Sequence, residues 1–155
     1  MRRTQFYVIG MALLMTPGVA SAQSVQNVTF DATIGDACTL TVTDGTLALS
    51  ADAKLLGSEE SGGSMARLLM SASGTPPKVQ FDAPGLTLSP SRFLADAVEI
   101  SYKSTNGHDQ AYTAALTSVQ ETSLIDEFEV NARVLHDAGF PAGDYQVVTV
   151  ATCAG

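Results

Sequence analysis

The stretch Phe140-Pro141-Ala142-Gly143-Asp144-Tyr145-Gln146-Val147-Val148-Thr149-Val150-Ala151-Thr152-Cys153 decides how the chain folds. Tyr, Val and Thr carry aromatic or β-branched side chains that suit a pleated surface, and nothing helix-breaking interrupts Tyr145 to Cys153. Pro141, Ala142, Gly143 and Asp144 supply a turn before it. Val147, Val148 and Val150 place apolar groups on both faces, which predicts a covered central or late-paired strand with a shift of phase rather than a free edge. This is the expected closing strand of an all-β domain.

At the other end, Met1-Arg2-Arg3 is a short basic region, Phe6 to Met15 is apolar, and Ala20-Ser21-Ala22 is a small-residue cleavage site. The pattern predicts a secretory signal peptide over residues 1–22, leaving a single domain over residues 23–155. A membrane anchor is the alternative, but the apolar run is shorter than the ~20 residues of a spanning helix, and Pro17-Gly18 follows it directly. No membrane span is therefore expected once the signal is cleaved. With Arg2 and Arg3 in the leader, six basic residues stand against sixteen acidic ones in residues 23–155, a balance of −10. Such a surface repels nucleic acid and anionic lipid.

The two cysteines, Cys38 and Cys153, lie 115 positions apart in a chain addressed to an oxidising compartment. One internal bridge is the simplest reading, and two free or intermolecular thiols are the alternative. Closing a loop of that length stabilises a domain by about 4 to 5 kcal/mol through the entropy it removes from the unfolded chain.

Between these ends the chain alternates. Val28, Phe30, Ala32 and Ile34 face one way and Asn27, Thr29, Asp31 and Thr33 the other, which predicts a half-buried first strand from Val25. Cys38, Leu40 and Val42 continue the alternation after Gly35-Asp36. Gly57 to Ser64 lacks any apolar residue and predicts an exposed, mobile loop. Met65 to Met70 would suit a short helix on propensity but reads as a strand beside its neighbours. Gly74-Thr75-Pro76-Pro77 predicts a hairpin turn between Ala66–Ser73 and Lys78–Asp82, and Asn106-Gly107 a tight one between Val98–Tyr102 and a partner from about Gln110 to Thr117. Ile125, Phe128, Val130, Ala132 and Val134 mark a longer strand whose phase slips near Glu127. The sum is an antiparallel β-sandwich of about seven to nine strands.

Catalytic chemistry is not visible. There is no Gly-x-Ser-x-Gly elbow and no phosphate-binding glycine loop, so neither an enzyme nor a cofactor is predicted. His108 and His136 lie beside turns without a second His or Cys at ligand spacing, and read as exposed turn residues. Asp126, Glu127 and Glu129, with Glu121, could contribute to a calcium site, but they lack the spacing of a calcium loop, and a solvated strand face is the expected reading. No metal site is assigned. Without Trp, an aromatic sugar platform is not expected, and Tyr102, Tyr112 and Tyr145 read as packing residues with a polar tip. Asn27-Val28-Thr29 matches a glycosylation sequon, of consequence only in a host that uses it.

The order of features resembles a family: a signal peptide, an alternating strand with Phe30, a cysteine two strands in, Gly45-Thr46-Leu47, and the terminal Ala142-Gly143-Asp144-Tyr145 turn and strand. It is similar to the bacterial spore coat protein U and chaperone-usher pilin-like group. That resemblance implies an immunoglobulin-like sandwich, secreted to the periplasm or cell surface, with a structural or adhesive role. It also implies assembly into a homopolymer by strand donation, or handling by a periplasmic chaperone and usher. The candidate donor, or else an internally paired first strand, is the segment that carries Val28, Phe30, Ala32 and Ile34; its short link to Cys38 favours internal pairing. The chain differs from pilins in bracketing the domain with its cysteines, and in ending without an aromatic-rich tail. A monomeric periplasmic or extracellular binding module, using Gly57–Ser64 and Asn106-Gly107 as its contact surface, is the alternative reading.

Overall fold

Alternation of apolar and polar residues over most of the chain leaves it only one way to bury its apolar half, as sheets facing one another across a core. A computed structural model describes residues 29–154, and all its strands lie within residues 33–155, one unit of structure. They are β1 Ala37–Thr43, β2 Ala48–Leu49, β3 Leu55–Gly57, β4 Ala66–Ser73, β5 Lys78–Phe81, β6 Gly85–Leu88, β7 Ala97–Ser104, β8 Asp109–Thr113, β9 Thr117–Gln120, β10 Ile125–Leu135, β11 Gln146–Val148 and β12 Ala151–Ala154. The described residues form no helix, and every strand pairing is antiparallel. The all-β expectation holds, and of Met65–Met70 the residues from Ala66 on lie in β4 as a strand.

The strand count exceeds the expected seven to nine because two long strands are each broken once and because the two-residue β2 and three-residue β3 are added beside β10. The chain from Lys78 to Leu88 runs as β5 and β6, and the closing stretch runs as β11 and β12 opposite them. Between the two halves the ladder continues irregularly, with the Asp82 amide donating to the Val150 carbonyl at 2.9 Å and the Thr149 hydroxyl to the Asp82 carbonyl at 2.7 Å.

The seven-stranded sheet is built on β10. One side of β10 pairs along its length with β7, which in turn pairs β8; the other side pairs first with β4 and then with β3. Strand β1 lies beyond β4 at one edge. A second sheet is ordered β12-β5-β9, with the ribbon β11-β6 continuing it. The Gly74–Pro77 turn therefore does not close a hairpin. It carries the chain from β4 in one sheet to β5 in the other, because β4 already has partners on both sides. The Asn106-Gly107 turn does close one, between β7 and β8, with Gly107 at φ 92° where a side chain would be strained.

The core lies where the sheets face. Phe81 of β5 stacks on Tyr102 of β7 with ring centroids 4.6 Å apart and meets the edge of Phe128 of β10 at 5.5 Å. Leu68, Met70, Val79, Ile100 and Val130 close around these rings. Tyr102 is buried, not tipped into water; its hydroxyl donates to the Thr117 hydroxyl at 3.2 Å. Cys38 of β1 and Cys153 of β12 form a disulfide with Cα atoms 6.1 Å apart, so the expected bridge ties the edge of one sheet to the edge of the other.

Candidate functional site

The closing strand, expected to be covered on both sides, is an edge. Among the described residues, strand β12 pairs only with β5, and β11 only with β6. Val148 and Val150, which in sequence looked like the second buried face, are about half exposed. Across from it, β1 pairs, among the described residues, only with β4. Two strand edges without a further partner among the described residues thus face each other, joined at the Cys38–Cys153 end and apart at the other.

The gap between them is a groove of about 680 Å³. Leu40 and Val42 of β1 form one wall, Val147 and Ala151 of the closing stretch the other, and Phe81 and Ile100 of the core form its floor. Among the described residues, no strand pairs with the free side of either edge, and an edge of this kind is a template for another strand. An apolar floor with unpaired main chain on both rims can do one thing well: accept an extended segment whose alternate side chains are apolar.

Such a segment exists in the chain. Phe30 is 92% exposed and Ile34 75%, and Ala32 is exposed between them. Val28 lies outside the described residues. The half-buried first strand expected from Val25 is not formed over residues 29–36, which carry no strand. The chain is instead fixed just before β1, where the Ser73 hydroxyl donates to the Gly35 carbonyl at 2.9 Å and the Thr75 amide to Asp36 Oδ1 at 2.8 Å.

The loops expected to form a contact surface are not brought together. Glu59, Ser61, Gly62 and Ser64 of the first loop are exposed, but Ser58 is buried: its hydroxyl donates to Asn131 Oδ1 at 2.8 Å and accepts from the Ala132 amide at 3.1 Å. Asn106 donates to the Ile125 carbonyl. The two attachment points are thus seven residues apart on β10, roughly 20 Å at the rise of a strand.

A polar cluster lies where the sequence predicted solvated side chains. Strand alternation splits the acidic run: Glu127 and Glu129 point outward to Arg67 at 2.6 and 3.0 Å, whereas Asp126 is fully buried. The supposed slip of phase near Glu127 is this residue; β10 keeps its period and Asp126 takes an inward position, leaving Ile125 exposed. Glu121, after β9, is also buried, and the side chain of His108 leans in from the β7–β8 turn, its ring parallel to Phe128. Burial pushes the Asp126 carboxyl up, but the nearby Ser104 hydroxyl, together with hydrogen bonds from the Thr105 hydroxyl and from the Asn106 and Glu127 amides, outweighs it and holds it below the usual range. His136 is likewise no exposed turn residue: it packs against Phe93 and Phe140, with Nδ1 3.5 Å from Asp96. The signal that would have found the cluster was the acid at an apolar position of β10.

Compared with protein-family models, curated proteins and solved structures, the chain matches none.

Proposed function

We propose that this chain is a secreted, non-enzymatic structural or adhesive subunit with an immunoglobulin-like sandwich left open at one edge, and that subunits join by strand donation. The donor is the segment around Val28, Phe30, Ala32 and Ile34 of one copy, and the acceptor is the groove between β1 and β11–β12 of the next. The observation that carries this reading is the pair of facing free edges over an apolar floor. Ten residues from Val25 to Ile34 extend about 33 Å, the length of the closing stretch from Gln146 to Ala154 within a few ångströms. Main-chain hydrogen bonds to the two rims supply affinity, and the alternate apolar side chains supply fit. In a cell envelope, a chaperone lending a temporary strand and an usher ordering the exchange fit the same groove, and export rests on the signal-peptide pattern of residues 1–22.

Light scattering on the oxidised protein lacking residues 1–22 tests it. Polymers are expected. They should vanish when residues 23–34 are deleted, and the shortened protein should then bind a peptide of residues 23–34 in equal stoichiometry. A monodisperse monomer that ignores the peptide would overturn strand donation and favour a binding module.

A further inference from the structure

We propose that His108, Glu121 and Asp126 bind a divalent cation of the zinc class. The three residues come from three separate places in the chain, the β7–β8 turn, the end of β9 and the start of β10, and each offers one ligand atom within 4.8 Å of the others. Glu121 is 3% exposed and Asp126 fully buried. Yet among the described residues Glu121 Oε1, Asp126 Oδ2 and His108 Nε2 have no hydrogen-bond partner. Leaving three such atoms unsatisfied in one place is costly, and a native fold avoids it unless something fills the gap.

The remaining polar atoms point to what fills it. Asp126 Oδ1 accepts from the Thr105 hydroxyl at 2.7 Å, the Glu127 amide at 2.8 Å and the Asn106 amide at 3.1 Å. Glu121 Oε2 faces Asn106 Nδ2 at 3.4 Å. Each carboxylate is therefore held through one oxygen while its other oxygen is turned into the cluster. Outer partners that fix a ligand and leave its second atom free are the usual support of a metal site. Phe128 lies parallel to the imidazole at 6.2 Å and restricts its ring plane.

An imidazolium with two carboxylates does not account for the geometry as well. His108 Nε2 stands 3.4 Å from Glu121 Oε1, long for a charge-assisted hydrogen bond, and Asp126 Oδ2 would stay unpaired. One positive charge against two buried carboxylates also leaves a net negative charge uncompensated, whereas a dication with a neutral imidazole brings the cluster to zero. One nitrogen and two carboxylate oxygens suit zinc, whose ligands at about 2.0 Å lie about 3.3 Å from one another, close to the His108–Glu121 separation. Calcium would require six to eight oxygens. His108 reaches the surface, with 23% of its side chain exposed, so water can complete the coordination.

The test is titration of the chelator-treated full chain with zinc chloride, followed by calorimetry and by thermal unfolding. One equivalent should bind, and the melting temperature should rise with free zinc. His108→Gln, which replaces the most exposed of the three and whose fold is to be checked by circular dichroism, should bind at least about tenfold more weakly, and Thr105→Ala about tenfold more weakly through loss of Asp126 orientation. Cobalt in wild-type protein should give the visible bands of a low-coordinate site with nitrogen ligation. No saturable zinc binding, unchanged affinity in His108→Gln, tighter binding of calcium than zinc, or an all-oxygen octahedral cobalt spectrum would each overturn the proposal.

Discussion

Tyr112 shows how a single side chain is set by what surrounds it. Its hydroxyl donates to Glu59 Oε2 at 2.7 Å, and the Arg133 guanidinium lies 4.0 Å above its ring while donating to Glu99 at 2.7 Å. Burial, then the hydrogen bond to Glu59, raises the phenol to about 12, although a hydrogen bond with Ser101 and the charge of Arg133 act the other way. A folded value above the unfolded one means that the folded chain holds its proton longer. The stabilisation is therefore complete below about pH 10 and is lost as pH rises through about 12. Ultraviolet titration of wild type minus Tyr112→Phe should isolate a phenolate that forms well above pH 10, and Glu59→Ala should move it down. A Tyr112 component titrating near 10 in the wild type would contradict the assigned environment.

Among the elements, the disulfide matters because of which strands it joins. Cys38 and Cys153 hold β1 against β12 at one end of the two free edges, and the bridge closes a loop of 115 residues in sequence. Replacing both by Ser should cost about 4 to 5 kcal/mol in a urea unfolding experiment, and a loss below about 1 kcal/mol would show that the edges are held by packing alone. The bridge was legible from two cysteines in an exported chain, as were β4, β7 and the Asn106-Gly107 hairpin from local turn chemistry and alternation. Strand partners beyond that hairpin were not legible. Nothing local tells Gly74–Pro77 that β4 and β5 belong to different sheets, nor tells the closing stretch that one side stays unpaired, because pairing is decided by distant strands competing for the same edge. Asp126 was misread for a related reason: an acid is assigned to solvent by its type, and only the register of β10 against β4 and β7 turns it inward.

For the molecule as a whole, charge and assembly must be considered together. Residues 23–155 carry a balance of −10, so under the proposed strand donation two approaching copies would repel each other before any hydrogen bond forms. The groove that would receive the donor is floored by apolar side chains, and the candidate donor positions Val28, Phe30, Ala32 and Ile34 are uncharged, so the attraction at contact owes little to salt. Repulsion between whole subunits, by contrast, is screened over about 10 Å at 0.1 M salt and over about 30 Å at 0.01 M. Raising sodium chloride between those two concentrations should therefore speed polymer growth, followed by light scattering, while Phe30→Asp should abolish growth at both by placing a charge against the apolar floor. If salt slowed growth instead, the encounter would be steered by attraction between unlike patches, and the joining surface would lie elsewhere than the apolar groove between β1 and β11–β12.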